Sequence, residues 1–203
     1  NLIKKTLINH KIKLVNYEII NCVDNVTDDD NANIILRSRK ESSIFKGVTF
    51  VKENPNSGFV SAGNTAALMI LSRSILGMID GVSRPAICST IPNKKSFSLM
   101  MDLGANVYVS AENLLQFALM GYAYFSIIDS KRKPKIGLIN IGTENNKGLE
   151  FLQDAHDLIS STHLKKNFLG FIEPNKITHG TCDIILSDGY TGNIIIKTAE
   201  GLS

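Results

Sequence analysis

Four short polar stretches carry most of the residues able to do chemistry in this chain. They are Ser61-Ala62-Gly63-Asn64-Thr65, Asp102-Leu103-Gly104-Ala105-Asn106, Asn140-Ile141-Gly142-Thr143-Glu144 and Asp188-Gly189-Tyr190-Thr191-Gly192-Asn193. Each follows an apolar run and opens a segment of helical pattern. A strand that turns at glycine into a helix leaves the first helical N–H groups unpaired and aimed at the corner, which suits an anion. At the first corner, Gly58, Gly63 and Thr65 copy the spacing of a phosphate-binding loop, but Asn64 stands where that loop needs lysine. The reading is a phosphate cradle without a nucleoside triphosphate. A glycine that only relieves crowding at a strand–helix turn produces the same pattern.

Asp102, Glu144 and Asp188 can each act as a base or hold a metal; each can equally cap a helix or tie down a turn. Lys147 and Lys197 bring positive charge toward a bound anion. No G-x-S-x-G and no G-x-G-x-x-G occurs, so neither a nucleophile elbow nor an ordinary dinucleotide fold is indicated. The residues present are glycines, amides, hydroxyls and a few charges, with no evident nucleophile. Such a set suits a small oxyanion that itself attacks an electrophile, with catalysis by positioning and electrostatic stabilisation.

The elements that must position these corners follow from pattern. Leu2 to Ile8 reads as the tail of a helix, and Ile12–Val15 and Tyr17–Cys22 as strand or extended chain. Ala32–Arg37 and Ser43–Glu53 read as helices, the second capped by Ser42 or Ser43 and stopped before Pro55. Gly58–Ser61 is extended and Asn64–Gly77 helical. Ala86–Ile91 and Phe97–Leu103 are strands; Ser110 caps a long helix through Tyr124. Lys135–Ile141, Asn167–Ile172 and Cys182–Leu186 are strands, with helices at Gly148–Ser160 and Ile194–Leu202. Strands of continuous apolar residues alternating with helices imply an α/β fold whose mostly parallel sheet is covered on both faces. Ligands of such sheets sit at the carboxyl ends of the strands, the edge all four corners are expected to share.

Composition sets the outer bounds. The 203 residues are 43% hydrophobic and 20% charged, with a net charge of +3. That length and composition fit a single α/β domain over residues 1–203. The basic runs Arg37-Arg39-Lys40 and Lys131-Arg132-Lys133 read as solvated turns, so no nucleic-acid partner is expected. Cys22, Cys88 and Cys182 form no C-x-x-C, and His10, His156, His163 and His179 show no ligand spacing. No metal site and no disulfide framework is expected, and reduced thiols point to a cytoplasmic location. No apolar run reaches the length of a membrane span. The chain starts without Met and stops at Ser203 inside a helical pattern, which suggests a fragment.

The corner motifs also carry a family resemblance. Ser61-Ala62-Gly63-Asn64-Thr65, Asp102-Leu103-Gly104-Ala105-Asn106, Leu114-Leu115-Gln116-Phe117-Ala118-Leu119-Met120-Gly121, Gly137-Leu138-Ile139-Asn140-Ile141-Gly142 and Asp188-Gly189-Tyr190-Thr191-Gly192-Asn193 resemble, in this order, the bacterial phosphate acyltransferases of phospholipid synthesis. Arg39-Lys40-Glu41-Ser42-Ser43 is similar to a further stretch of that family.

The resemblance implies a three-layer α/β/α sandwich similar to phosphate acetyltransferases and isocitrate/isopropylmalate dehydrogenases. It implies transfer of a fatty acyl group from acyl carrier protein to inorganic phosphate, by a homodimer attached peripherally to the inner face of the membrane, with no cofactor. A short-chain phosphate acyltransferase of the same fold, or a non-catalytic ligand-binding relative, is the alternative. On this reading Asn64, Asp102, Asn106 and Lys197 are catalytic. Ser61, Gly63, Thr65, Gly104, Asn140, Gly142, Glu144, Asp188, Gly189, Thr191, Gly192 and Asn193 bind phosphate or substrate. The sequence departs from the family pattern at Ala66, usually Gly, at Leu149, usually Asn, and at Pro174-Asn175-Lys176-Ile177. The family's N-terminal Asp-Gly-Gly strand and C-terminal helices are missing.

Overall fold

Side-chain caps set where most helices of this chain begin. Asn31, Ser42, Asn64 and Ser110 each accept a hydrogen bond from the backbone N–H three residues on, satisfying one of the donors a helix start leaves open. The computed structural model describes residues 2–202; the expectation for Ser203 lies outside them. The chain forms two compact units, divided between Leu76 and Gly77, and each is described by itself.

The first unit is helical: α1 (Leu2–Asn9), α2 (Ala32–Ser38), α3 (Ser43–Glu53) and α4 (Thr65–Ile75). Ile35, Ile44, Val48, Ala67 and Leu71 form its core, while α1 buries nothing. Arg39 ties the acidic turn to α2: its guanidinium donates to both carboxylate oxygens of Asp30 at 2.8 and 2.9 Å and to Asp24 at 2.9 Å. Asp30 is held down to about 2, chiefly by that Arg39 hydrogen bond.

Three extended readings do not survive as strands. Gly58–Ser61, Ile12–Val15 and Tyr17–Cys22 have no strand assignment. A strand needs a neighbour to accept its backbone bonds, and among the described residues the first unit pairs backbone in β fashion only at the isolated Asp24–Ser42 bridge. Phe59 instead packs its ring against Gly47, where any Cβ would collide with it.

The second unit holds the sheet: β1 (Cys88–Pro92), β2 (Phe97–Met101), β3 (Ile136–Ile139), β4 (Phe168–Ile172) and β5 (Ile184–Leu186). The strand order is β1-β2-β5-β3-β4. Only β1 runs antiparallel; the β2–β5, β5–β3 and β3–β4 pairs are parallel. The last strand in sequence is thus the middle strand, and β3 and β5 are buried throughout. Continuous apolar runs are what a strand covered on both faces requires.

One face packs on α5 (Ala111–Ile128) and α6 (Glu150–Ser160) through Leu99, Leu114, Phe117, Leu138, Ile159 and Ile184. The other packs on α7 (Gly189–Leu202) and the 3-10 turn Pro174–His179 through Met100, Ile139, Ile185, Ile177 and Ile195. The unit is therefore the expected α/β/α arrangement. α7 starts five residues before the expected Ile194, because Asp188 caps it.

Candidate functional site

Because β2, β3 and β5 are parallel, the corners after them open on one edge of the sheet. Asp102 follows β2 and is fully buried. Its carboxylate accepts five hydrogen bonds: from the N–H groups of Ile87, Gly104, Ala105 and Asn106, and from the Asn106 side-chain amide, at 2.8 to 3.2 Å. Asn106 also donates to the Pro85 carbonyl at 2.7 Å. Of the two kinds of role open to Asp102, these contacts are those of a turn tie: its oxygens face chain donors. Burying such a group is tolerable because each of its oxygens finds donors aimed at it.

The corner after β5 is fitted onto this one. Ser187 exchanges backbone bonds with Met101 and Asp102 at 2.8 and 3.0 Å, and its hydroxyl donates to the Asp102 carbonyl at 3.0 Å. Gly189 N–H donates to the Asn106 carbonyl at 2.9 Å. A Cβ at Gly189 would stand 2.5 Å from that carbonyl oxygen, and one at Gly192 would overlap the Asp102 carbonyl oxygen. Both glycines are thus required by the approach of α7 to the β2 corner. Gly104, at φ +127, lies beside the Asn193 side chain.

Asp188 caps α7. Its carboxylate accepts from the Thr191 N–H at 2.8 Å and the Thr191 hydroxyl at 2.7 Å, and its carbonyl accepts from Gly192 N–H at 2.9 Å. The positive end of the helix is already matched by this negative charge. An incoming phosphate at the Gly192-Asn193 start meets that carboxylate. Asn193 and Tyr190 are exposed at the rim.

The third corner follows β3. Asn140 is buried; its amide donates to the Lys147 carbonyl at 2.9 Å and its side-chain oxygen accepts from Ile141 N–H at 2.9 Å. Gly142 is covered by the ion pair of Glu144 and Lys147, whose atoms are 2.7 Å apart. The lysine hydrogen bond lowers the Glu144 carboxyl below its ordinary range. A cavity of about 470 Å³ joins this corner to the last, lined by Asn140, Gly148, Leu149, Asp188 and Thr191 among others. A second hollow, about 360 Å³, shares Leu149, Asp188 and Thr191 and runs on to Val107, Tyr108 and Tyr190. Polar groups thus rim an apolar trough at the carboxyl edge.

Lys197 lies apart from this rim. It is two turns along α7, pairs with Glu200 at 2.7 Å and is exposed; eight residues of helix put it roughly 12 Å from the start of α7. Sequence reasoning assigned no role to Val107, Tyr108, Ile141 or Tyr190 as trough lining, and saw Leu149 only as a departure from pattern. Large apolar residues beside glycine corners were the signal: Ile141 and Tyr108 are 78% and 85% exposed.

The first corner belongs to the helical unit and is described there. Asn64 caps α4, accepting from Ala67 N–H at 2.9 Å and donating to Asp28 at 2.9 Å. Ser61 accepts from Gly63 N–H at 3.1 Å, and a Cβ at Gly63 would press on Ile44 at 2.9 Å. Thr65 and Ala66 are exposed at the helix start. Within the sheet unit the structure brings together Asp102, Gly104, Asn106, Asn140, Asp188, Gly189, Thr191, Gly192 and Asn193; Ser61, Gly63, Asn64 and Thr65 lie together in the helical unit. Among the described residues no cluster of His, Cys, Asp and Glu could hold a metal ion, and no helix is long and apolar enough to cross a membrane.

Comparison with known proteins adds kinship to this geometry. Residues 2–203 match the family described as "Fatty acid synthesis protein". The chain is 41% identical over 202 residues to a phosphate acyltransferase of Clostridium tetani, covering 100% of this chain and 60% of that protein. It is 39% identical to one of Anaplasma phagocytophilum, covering 97% and 57%, and 45% identical to one of Paraburkholderia phytofirmans, covering 88% and 48%. The chain thus spans between 48% and 60% of the length of these relatives. Among solved structures, the EutD phosphotransacetylase from Staphylococcus aureus superposes with a TM-score of 0.65 at 14% identity, covering 98% of this chain and 71% of that one. That likeness is one of fold.

Proposed function

Since the chain belongs to the fatty acid synthesis protein family, we propose that it takes part in transferring a fatty acyl group from a thioester to inorganic phosphate, giving acyl phosphate. The relatives' name, phosphate acyltransferase, supports the reaction class. The observation that carries the reading is the joining of the Asn140 and Asp188 corners, and of the loop 107–109 that follows the β2 corner, to an apolar trough at Asp188 and Thr191. A reaction between a small anion and a long hydrocarbon thioester needs both surfaces at one place.

In this reading a phosphate oxygen attacks the thioester carbonyl carbon, forming the new C–O bond and a tetrahedral oxyanion. Collapse breaks the C–S bond, and the thiolate leaves and takes up a proton. The chain's contribution is positioning and charge stabilisation. The exposed Asn193 side-chain amide, beside Gly104, is the donor offered to the anion, away from the helix start that Asp188 caps, while Asn140 and Thr191 line the acyl side. Asn64 is engaged as the cap of α4 and as a donor to Asp28, and its part in this reading is to hold the start of that helix. Asp102 and Asn106 act by holding the β2 corner against α7. Lys197, paired with Glu200 in solvent two turns along α7, has no direct part in this reading.

We assign acyl carrier protein as the donor and a peripheral, homodimeric enzyme at the inner membrane face as its setting. The test is to incubate the full chain with a long-chain acyl thioester, with and without inorganic phosphate, and to trap acyl phosphate as its hydroxamate. Phosphate-dependent product is the expected result. Product from coenzyme A thioesters of short acids alone would move the assignment to a short-chain enzyme. Ligand binding with no product in either arm would leave a non-catalytic relative.

A further inference from the structure

At the opposite, amino-terminal edge of the sheet, three loops enclose a cavity of about 280 Å³ whose lining includes Lys95, Arg132, Lys133, Lys135, Thr181 and Asp183. The loops are the β1–β2 turn, the α5–β3 connection and the approach to β5, which lie far apart in sequence. The cavity is therefore a product of folding, and it is built on the strand ends farthest from Asn140 and Ser187.

Its positive charge is only half offset. Asp183 is the one carboxylate in the lining, and both its oxygens are engaged: Oδ1 with Arg132 at 3.0 Å and Oδ2 with the Lys135 N–H at 2.9 Å. Asp129 holds Arg132 from the other side at 2.6 Å. Counting both carboxylates, the cavity keeps a surplus of two positive charges. Among the described residues Lys95, Lys133 and Lys135 form no ion pair.

The walls are fixed. Asn93 accepts from the N–H groups of Lys95 and Ser96 at 2.8 Å and donates to Ser98, which is itself buried on the Cys182 carbonyl at 2.6 Å. Arg132 lies 5.1 Å over the Phe125 ring. Gly180, at φ +69, closes the wall where a Cβ would press on Asn93 at 2.8 Å. Next to it, His179 keeps Nδ1 buried with no hydrogen-bond partner among the described residues.

We propose that this cavity binds the phosphate group of a small or lipid-borne ligand carrying at least two negative charges, at a site distinct from the carboxyl edge. Lysine ammoniums are point charges that suit phosphate, and Arg132 is already committed to carboxylates. An extended nucleic acid needs a stripe of charge with stacking aromatics; a half-open hollow of about 280 Å³ suits a single compact anion.

The test is calorimetric titration of the full chain with inorganic pyrophosphate at low salt. A parallel arm measures co-sedimentation with phosphatidylcholine vesicles with or without phosphatidic acid. The variant Lys95→Gln/Lys133→Gln/Lys135→Gln should weaken binding about tenfold or more, since each removed pair is worth up to a few-fold. The control Lys165→Gln/Lys166→Gln, on an exposed turn, should change it less than twofold. All five lysines are exposed, so both variants should keep the circular dichroism of the parent. Saturable pyrophosphate binding lost only in the triple variant supports a soluble ligand. Phosphatidic-acid binding lost only in that variant, without pyrophosphate binding, supports a lipid headgroup. No binding in either arm, or equal loss in both variants, overturns the proposal.

Discussion

Replacing Asp102 with asparagine should unfold the β2 corner before it alters any chemistry. The carboxylate takes three N–H donors on Oδ1 and two donors on Oδ2. An asparagine amide must turn its NH2 toward one of these sets. The milder choice places it against the Asn106 N–H and amide, so two hydrogen bonds are lost and two buried donors face a third. A bond to a charged group is worth about 1.5–3 kcal/mol, so Asp102→Asn should cost about 3–6 kcal/mol. That is a large share of the stability of an ordinary domain. Burial leaves no route for solvent to replace the lost acceptor, since the side chain is fully covered. The chain has no tryptophan, so the assay is urea unfolding followed by far-ultraviolet circular dichroism. A loss of stability below about 1 kcal/mol, with catalysis abolished, would refute the reasoning and make Asp102 a reacting group.

Further outcomes follow from the same contacts. Gly192→Ala drives a methyl into the Asp102 carbonyl oxygen and should destabilise by about 3 kcal/mol, whereas Gly58→Ala meets nothing within 4 Å and should stay within about 0.5 kcal/mol; paired urea curves decide. Asp30, lowered from 3.8 to about 2 by Arg39, stabilises the fold fully above the unfolded value. That contribution is lost as pH falls from about 4 to about 2, so Asp30→Asn should flatten the acid limb of a thermal-melt profile. Burial pushes the Cys88 thiol up to about 11 and raises Cys182 as well; iodoacetamide at pH 8 should label neither in the folded chain and both in urea, as read by mass spectrometry. Asn64→Ala removes the α4 cap and should cost about 1 kcal/mol. Asn64→Asp keeps the cap but sets a carboxylate against Asp28, so its cost should shrink as salt is raised.

The caps were the most legible part of the chain. Ser42 and Ser110 each announce a helix by a local rule, and α3 occupies the expected residues; Asn64, read as the first helical residue, is the cap of α4 instead. Buried strands were legible as apolar runs, but not their order. Nothing local says that β5 inserts between β2 and β3, because that choice is made by pairing across some 85 residues. The run Gly58–Ser61 misled because it has strand composition but no partner strand. The start of α7 was misplaced because Gly189 and Gly192 read as turn residues, while in the fold they are helical glycines chosen for contact with Asn106 and Asp102. Polar corner residues were found by type and position. The trough beside them was not, since Tyr108, Leu149 and Tyr190 become neighbours only when three loops close on one edge.

We propose that an acyl group passes to phosphate at that edge. The measurement that bears on it most directly is the initial rate of thiol release from a long-chain acyl carrier protein thioester across a series of phosphate concentrations, for the parent chain and for Asn193→Ala. The account predicts release that saturates with phosphate, and a raised phosphate KM in the variant. Release that ignores phosphate, or no release from a folded chain, would contradict it.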